Sequence, residues 1–254
     1  SAAIHDRTLS TRKIGLGVMG FADLLFKLRV PYNSETALAW ADRLMSFIAQ
    51  RANDQSLSLA SARGTFLAWP ESIYAPDGPQ YRNATRTTIA PTGTLSIIAG
   101  CSSGIEPAYG LSFLRRHYLS EDDPSSLTEL TDTNRIFRAV ASSAGWWSAE
   151  LEDHLLHGEP LSDWPAAPAE ACAMFVTAHE IDPEWHIRMQ ATFQRHVDNA
   201  VSKTINFRRD ASSDEIGQAY LLAWHEGCKG ITVYRDQSKA HQVLSRRESE
   251  MDLT

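Results

Sequence analysis

The feature that most restricts the fold of this chain is a short strand that ends at a proline and passes directly into a helix. Residues 87–90 are β-branched or small and predict a buried strand, which Pro91 ends. The small apolar run at residues 97–100 predicts that a short helix follows. Between the two lies a segment that we call the PTGT turn, which consists of Pro91, Thr92, Gly93, Thr94, Leu95 and Ser96.

Two interpretations of the PTGT turn remain open on the residues alone. In the first, the turn binds a phosphate, because unpaired N–H groups and the positive end of a helix dipole converge on one spot. Gly93 lets a ligand approach the backbone, and three hydroxyl side chains of the turn add donors. Such charge-assisted hydrogen bonds contribute about 1.5–3 kcal/mol each. In the second, a threonine caps its own helix and the turn binds nothing.

Composition excludes several classes of protein. The chain has 254 residues, of which 43% are hydrophobic and 22% charged, so one α/β domain with a substantial core is expected. The net charge of −7 argues against a nucleic-acid-binding surface. No apolar run approaches the roughly 18 residues that span a membrane, and no signal peptide is visible. Three widely spaced cysteines predict a reducing cytoplasm and give no zinc signature.

Residues 15–20 spell GxGxxG, the fingerprint of a dinucleotide-binding fold. In such a fold the glycines follow a buried strand, but the preceding residues 10–13 are polar. We therefore favour a helix over residues 12–28, with the glycines at close packing contacts. An NAD-binding segment remains the alternative.

The rest of the first two thirds predicts helices joined by loops. We expect an irregular segment at 1–11, a long helix over 33–61 stopped by Gly64, a loop over 64–82 and a strand over 110–118. A helical insert over 119–170 follows, with helices near 134–144 and 148–157. His154 and His157 lie three residues apart, but no further ligand is placed beside them, so we expect no metal site.

The last third alternates helix and strand, which predicts a parallel α/β layer or barrel. A helix begins at Asp182, and its apolar stripe consists of Trp185, Met189, Phe193 and Val197. A strand covers 201–207, a helix runs from Ser212 to 227, and a final buried strand covers 229–235. The tail at 239–254 is charged and expected to be mobile. Ligands bind at the carboxyl ends of such strands, so the ends at residues 90, 207 and 234 are expected to share one rim. Tyr234 fits equally well as a residue of the ligand-binding site and as a structural aromatic residue that caps the strand.

Four blocks carry a resemblance to a known family. They are RKIGLGVMGFADLLFKL from residue 12, TTIAPTGTLSIIAGCSSGIEP from residue 87, FVTAHEIDPEWHIRMQATFQRHVDNAVSKTIN from residue 175 and GCKGITVYRDQS from residue 227. These blocks resemble the C-terminal half of a ribonucleotide reductase catalytic chain, most closely the adenosylcobalamin-dependent class. Residues 12–238 would then be the C-terminal part of a ten-stranded α/β barrel domain.

The resemblance implies radical reduction of ribonucleotides to deoxyribonucleotides. It assigns the PTGT turn to the substrate phosphates, and it places Tyr234 near the radical site as a candidate catalytic residue. Glu106, in GIEP, is a positional match without an assigned role. The radical would come from adenosylcobalamin, with the protein supplying binding and orientation.

The family's catalytic finger loop is absent from this sequence. No Asn-x-Cys-x-Glu surrounds Cys101, Cys172 or Cys228. The chain is therefore expected to complete a barrel with an N-terminal half that carries the radical cysteine, and to expose apolar faces without it. A nucleotide- or phosphate-binding module without chemistry is the second hypothesis, and the dehydrogenase-like domain is the third.

Overall fold

The computed structural model describes residues 1–118, 127–236, 238 and 244–245. The helices are α1 Ala2–Thr11, α2 Phe21–Leu28, α3 Glu35–Arg63, α4 Gly93–Ala99, α5 Arg135–Ser143, α6 Ala149–Leu156, α7 Ala169–Met174, α8 Pro183–Gln194 and α9 Ser213–His225. The strands are β1 Ser112–Tyr118, β2 Leu127–Thr133, β3 Thr204–Phe207, β4 Thr232–Arg235 and β5 Leu244–Ser245.

Four extended segments run parallel to one another in the order 14–16, 85–89, 199–207 and 232–235. Leu16 bridges Thr87, Ile89 bridges Val201, and β3 pairs with β4 along its whole length. The predicted parallel α/β layer is confirmed. Within the described ranges the layer is open and does not close into a barrel.

The carboxyl ends of these segments are staggered, which corrects the expectation of one shared rim. The bridge from Ile89 to Val201 sets residue 90 level with residue 202, five residues before Phe207. Tyr234 pairs with Asn206. At about 3.3 Å per strand residue, Tyr234 is offset by up to ~13 Å along the strand direction from residue 90, where the segment before the PTGT turn ends.

Helices α2, α3 and α8 contribute buried side chains to a hydrophobic core cluster that also contains Ile89. Met189 and Phe193, two members of the apolar stripe predicted for α8, are fully buried there. Helix α3 begins where Ser34 Oγ accepts the Ala37 N–H, and it ends at Gly64, whose φ is 76°. The prediction of this long helix is confirmed. The side chain of Asp182 makes no capping bond at the start of α8.

Residues 2–11 form helix α1, so the expectation of an irregular segment at 1–11 is wrong. The Thr8 hydroxyl donates to the Ile4 carbonyl, and the Arg12 amide ends the helix by donating to Thr8 O. None of the helix residues is buried. A helix without a buried face carries no apolar periodicity, and this is why the pattern did not reveal it.

The helix predicted over 12–28 begins only at Phe21, because residues 12–20 are not helical. Gly15 and Gly17 lie against Thr88, where a Cβ on Gly17 would overlap the Thr88 carbonyl oxygen. The amides at the start of α2 are also engaged: Gly20 donates to Ser102 O at 2.7 Å and Phe21 donates to Gly104 O at 3.4 Å. The glycines therefore serve close backbone packing, and the dinucleotide interpretation lacks these donors for a pyrophosphate.

The insert predicted as helical begins with a β-hairpin instead. Strand β2 pairs antiparallel with β1, and Ser112 lies opposite Thr133. Helices α5 and α6 then follow where they were predicted, each capped by the residue before it, Asn134 and Ser148. The acidic residues at 119–126 lie outside the described residues. The period-two pattern of β2 is too polar to predict a half-buried strand.

The end of the chain differs from its prediction in two ways. Strand β4 is only partly covered, with Thr232 and Arg235 exposed, so it is not the buried strand that we expected. Within the tail at 239–254, Leu244 and Ser245 pair with β1 as β5. The remainder of that tail lies outside the described residues.

Candidate phosphate-binding site

The PTGT turn leaves the first amides of a helix without a partner. Thr92 adopts a left-handed conformation (φ 51°, ψ 25°), and α4 begins at the next residue. The Ser96 amide donates to Thr92 O at 2.8 Å and closes the first helical turn. Among the described residues, no acceptor is bonded to the amides of Gly93, Thr94 or Leu95. These three N–H groups are the orphan donors of a helix start.

The threonine before the helix does not cap it. The Thr92 hydroxyl instead accepts the Gly104 N–H at 2.8 Å, and no side chain caps α4. The interpretation in which a threonine satisfies its own helix is therefore wrong. Thr92 joins the turn to a second segment and leaves the helical amides open.

Exposure separates the residues that face outward from those that hold the turn. Gly93, Thr94 and Leu95 are exposed, and a Cβ on Gly93 would meet nothing within 4 Å. Ser96 is buried, and its hydroxyl contacts Gly93 O and the Ser103 hydroxyl, each at 2.8 Å. The structure thus differs from the sequence expectation for Ser96, whose polar groups are used inside the protein. A ligand would meet the backbone from the open side of Gly93.

An apolar face on α4 continues outward from the turn. Leu95, Ile97 and Ile98 are 59%, 51% and 80% exposed. Trp224 on α9 is a further exposed apolar residue at 73%. Contiguous apolar side chains at a surface mark an interaction face. Their exposure agrees with the expectation that this chain forms part of a larger domain.

The segment that receives Thr92 is residues 102–106, which we call the support loop. Its Ser102 exchanges hydrogen bonds with Asp23 of α2, and the Ile105 carbonyl accepts the Tyr32 hydroxyl at 2.6 Å. Tyr32 is fully buried, which raises its pKa well above the ordinary value, so its hydroxyl stays a donor. The support loop is thus fixed to the helical layer on one side.

On its other side the support loop ends at Glu106, which enters a buried polar cluster. Glu106 pairs with Lys203 at 2.6 Å, and its second oxygen accepts the Thr204 N–H at 2.6 Å. Lys203 Nζ also lies 2.8 Å from His186 Nδ1. We call Glu106, His186 and Lys203 the Lys203 cluster. Burial lowers the pKa of Lys203, and the Glu106 carboxylate opposes that shift.

Sequence reasoning missed the Lys203 cluster, although one signal was present. Residues 201–207 alternate, and the inward positions are Val201, Lys203, Ile205 and Phe207. A lysine at an inward position of a half-buried strand requires a partner, because an unpaired buried charge is costly. The pattern held enough information to indicate a buried ion pair at Lys203, but not to indicate the carboxylate that completes it.

Tyr234 lies on β4 opposite Asn206 and is half-buried. The stagger of the strands sets it apart from the PTGT turn along the strand direction, so the structure does not bring these two predicted elements together. All three cysteines are free thiols. Burial, followed by the nearby Glu226, raises the pKa of Cys228 to about 11, and burial also raises that of Cys172. Both thiols stay protonated at neutral pH.

Histidines 154 and 157 each contact a main-chain carbonyl, those of Pro160 and Asp153. No group of three or more metal-ligating side chains occurs in the part of the chain that the structure describes. None of the helices there combines the length and the apolar character that crossing a bilayer requires. Two open clefts, of about 570 and 410 Å³, lie in the insert and beside β1, and neither is lined by the PTGT turn.

Comparison with known proteins identifies relatives over nearly the whole chain. Among curated proteins, the chain is 50% identical over 97% of its length to the vitamin B12-dependent ribonucleoside-diphosphate reductase of Thermoplasma acidophilum. It is 45% identical over 95% of its length to the protein of that name from Mycobacterium tuberculosis. The chain covers 31% and 34% of these two proteins and so spans about a third of their length.

A solved structure supports the fold. The class Id ribonucleotide reductase alpha subunit of Actinobacillus ureae superposes with a TM-score of 0.76 at 22% identity, over 92% of this chain and 41% of that one. The profile of the family described as "Ribonucleotide reductase, barrel domain" matches residues 2–81 and 78–234. The chain therefore belongs to the ribonucleotide reductase barrel-domain family.

Proposed function

We propose that this chain supplies the substrate-phosphate site of a ribonucleotide reductase, which reduces ribonucleotides to deoxyribonucleotides by radical chemistry. One observation carries the proposal: three partnerless amides open a helix at the carboxyl end of an inner strand. A helix start of this kind favours a phosphate by hydrogen bonding and by its dipole. Membership of the reductase family and the names of the relatives agree with this assignment.

The residues of the turn divide into two roles. The amides of Gly93, Thr94 and Leu95 bind phosphate oxygens, and the exposed Thr94 hydroxyl adds a donor. Pro91 ends the strand. Thr92 and Ser96 hold the turn in shape through their hydroxyls. Because the relatives are named as diphosphate reductases, we take a ribonucleoside diphosphate as the substrate.

The reaction needs groups that the described residues do not assemble. A radical cysteine, an acid–base pair and a reducing dithiol would come from the N-terminal half of a ten-stranded barrel, in trans or on a longer chain. The exposed apolar face of α4 supports such a contact. Tyr234, on β4, would face the completed radical site. With its three free thiols, the protein would work in the cytoplasm.

Adenosylcobalamin would supply the radical when bound, as the names of the relatives imply. Neither of the two clefts would hold it on its own. Clefts of about 570 and 410 Å³ are sized for small ligands, whereas a corrin ring with two axial groups is much larger. We therefore assign the cofactor to a site that the N-terminal half completes, and we assign to this chain the binding and orientation of the phosphates.

Calorimetry with ADP on the chain and on Gly93→Val tests the proposal. The space around Gly93 is empty, so valine fits the fold but blocks the approach of a phosphate. We expect ADP binding in the wild type and a loss of at least about 100-fold in the variant, since two or more charge-assisted bonds would be affected. Equal binding by both proteins would contradict the phosphate assignment.

A nucleotide-binding protein without chemistry is the second candidate, favoured by the raised pKa values of Cys172 and Cys228, which disfavour a reducing role. Adding a separately made N-terminal half separates the two candidates. Restored ribonucleotide reduction supports the reductase. A chain that binds ADP but forms no complex and restores no reduction supports the second candidate.

A further inference from the structure

The support loop contacts the PTGT turn through two hydrogen bonds. The Gly104 amide donates to Thr92 Oγ1 at 2.8 Å, and the Ser103 and Ser96 hydroxyls lie 2.8 Å apart. Gly104 has a φ of +46°, and a Cβ there would approach the Ala90 carbonyl oxygen to 3.1 Å. The conformation of the turn therefore depends on the position of the loop behind it.

The far end of the support loop is fastened by the Lys203 cluster. Lys203 Nζ has three donors and three acceptors within reach: Glu106 Oε2 at 2.6 Å, Thr204 O at 2.6 Å and His186 Nδ1 at 2.8 Å. Glu106 Oε1 accepts the Thr204 N–H. The carboxylate thus ties the loop to the start of β3 through both the backbone and the lysine.

The charge state of the cluster follows from its surroundings. Burial, and then the charge of Lys203, lowers the pKa of His186 well below its ordinary value, so the ring is neutral. His186 Nε2 lies 3.1 Å from the Ala178 carbonyl and donates to it, which leaves Nδ1 as an acceptor for the ammonium group. The cluster holds one positive and one negative charge.

We propose that Glu106 and Lys203 are positioning residues for the PTGT turn. Neither reaches the open amides, but their ion pair fixes the support loop, and the loop fixes Thr92 and Ser96. The inference rests on the proposed function, because it concerns how the phosphate-binding conformation of the turn is maintained before a ligand binds. Donors fixed in place before binding cost no reorganisation when the ligand arrives. Without the pair, the amides of the turn must be ordered by the ligand itself.

Glu106→Gln tests the proposal, and Asp198→Asn is its matched control. Both substitutions neutralise a carboxylate that accepts a main-chain amide and pairs with a buried cation. Three quantities are measured on the 254-residue chain: the hydrogen-exchange rate of the Gly104 amide, the dissociation constant of ADP and the dissociation constant of adenosine. Glu106→Asp, which keeps the charge but withdraws it by one methylene, replaces the glutamine variant if that protein does not fold.

We expect Glu106→Gln to speed Gly104 exchange and to raise the Kd of ADP about 10-fold without changing that of adenosine. Asp198→Asn should change none of the three. Unchanged exchange and affinity in the Glu106 variant, or equal effects in both variants, would overturn the positioning role while leaving the phosphate site intact. A wild-type chain that does not distinguish ADP from adenosine would overturn the proposed function, and this inference with it.

Discussion

Two buried ion pairs of nearly the same form flank the extended segment 198–203. At its start Asp198 accepts from Arg86 Nη2 at 2.8 Å, and at its end Lys203 donates to Glu106 at 2.6 Å. The cations are 4% and 0% exposed, and the carboxylates 23% and 26%. Each carboxylate also accepts a main-chain amide. The two pairs thus differ little in chemistry and differ mainly in what they hold.

The Arg86 pair joins parts of the scaffold. Its guanidinium group donates to Asn53 of α3 at 2.6 Å and lies 4.0 Å from the ring centre of Tyr81, in the loop after that helix. The Lys203 pair instead ends the support loop, which contacts the PTGT turn. The segments that a buried ion pair connects, more than its strength, therefore decide whether it stabilises the fold or the candidate site.

The largest expected effect is a loss of stability when the ion pair between Arg86 and Asp198 is broken. Arg86→Met leaves the Asp198 carboxylate and the Asn53 side chain without their partner, so we expect a loss of about 3–5 kcal/mol in the free energy of unfolding. Urea denaturation measures this loss. The affinity for ADP, measured well below the unfolding transition, should not change. A loss of affinity matching that of Glu106→Gln would remove the distinction between the two pairs.

Lys203→Met, which breaks the other pair, should cost somewhat less, about 2–3 kcal/mol. Arg86→Met costs more because it also removes the contact of the guanidinium group with the Tyr81 ring. The double variant Lys203→Met/Glu106→Gln removes the uncompensated charge and should recover about half of that loss. The ADP affinity should not recover with it, because the loop remains unfastened. Parallel recovery of stability and affinity would show that the pair acts on the fold alone.

Alanine substitutions at two glycines, one in the turn and one in the support loop, should change the free energy of unfolding in opposite directions. Gly104→Ala forces a side chain into a left-handed conformation beside the Ala90 carbonyl and should cost about 1–2 kcal/mol. Gly93→Ala, in open space at a helical position, should stabilise the chain by about 0.5 kcal/mol. Thermal unfolding of both variants checks the signs. A loss in both variants would contradict the open surroundings described for Gly93.

The smallest expected effect is a pH dependence at the Lys203 cluster. His186 has a folded-state pKa below its unfolded value of about 6.5, so below pH 6.5 the unfolded chain binds the extra proton. Stability is therefore full above pH 6.5 and falls as the pH decreases below it, by up to about 1.4 kcal/mol per unit. Denaturation of wild type and His186→Gln at pH 7.5 and 5.5 measures the difference. If both proteins lose the same free energy of unfolding between pH 7.5 and 5.5, His186 is not the source of the pH dependence.

Elements with one buried face were predictable from the sequence, because burial imposes a period. The α8 stripe and the alternation at 201–207 are examples. Helix α1 buries no residue and left no such pattern. The glycines at 15 and 17 fit a helix and an extended segment equally well on sequence alone, because both use glycine for close backbone contact.

The site was predictable in its position but not in its support. The PTGT turn lies where the proline and glycine of the sequence placed it, at the start of α4. Ser96 turned inward, and Thr92 bonded to Gly104, twelve residues along the chain. Partners so far apart in sequence depend on the tertiary fold, which a local pattern does not encode. The pairing of Glu106 with Lys203 was not predictable for the same reason, because the two residues are 97 positions apart in the sequence.

The most direct test of the account follows the backbone amides of the turn by nuclear magnetic resonance during titration with ADP and, separately, with adenosine. We expect the resonances of Gly93, Thr94 and Leu95 to shift with ADP and to stay unchanged with adenosine, since only the phosphates reach those donors. Resonances that do not move with ADP, or that move equally with adenosine, would contradict the phosphate assignment.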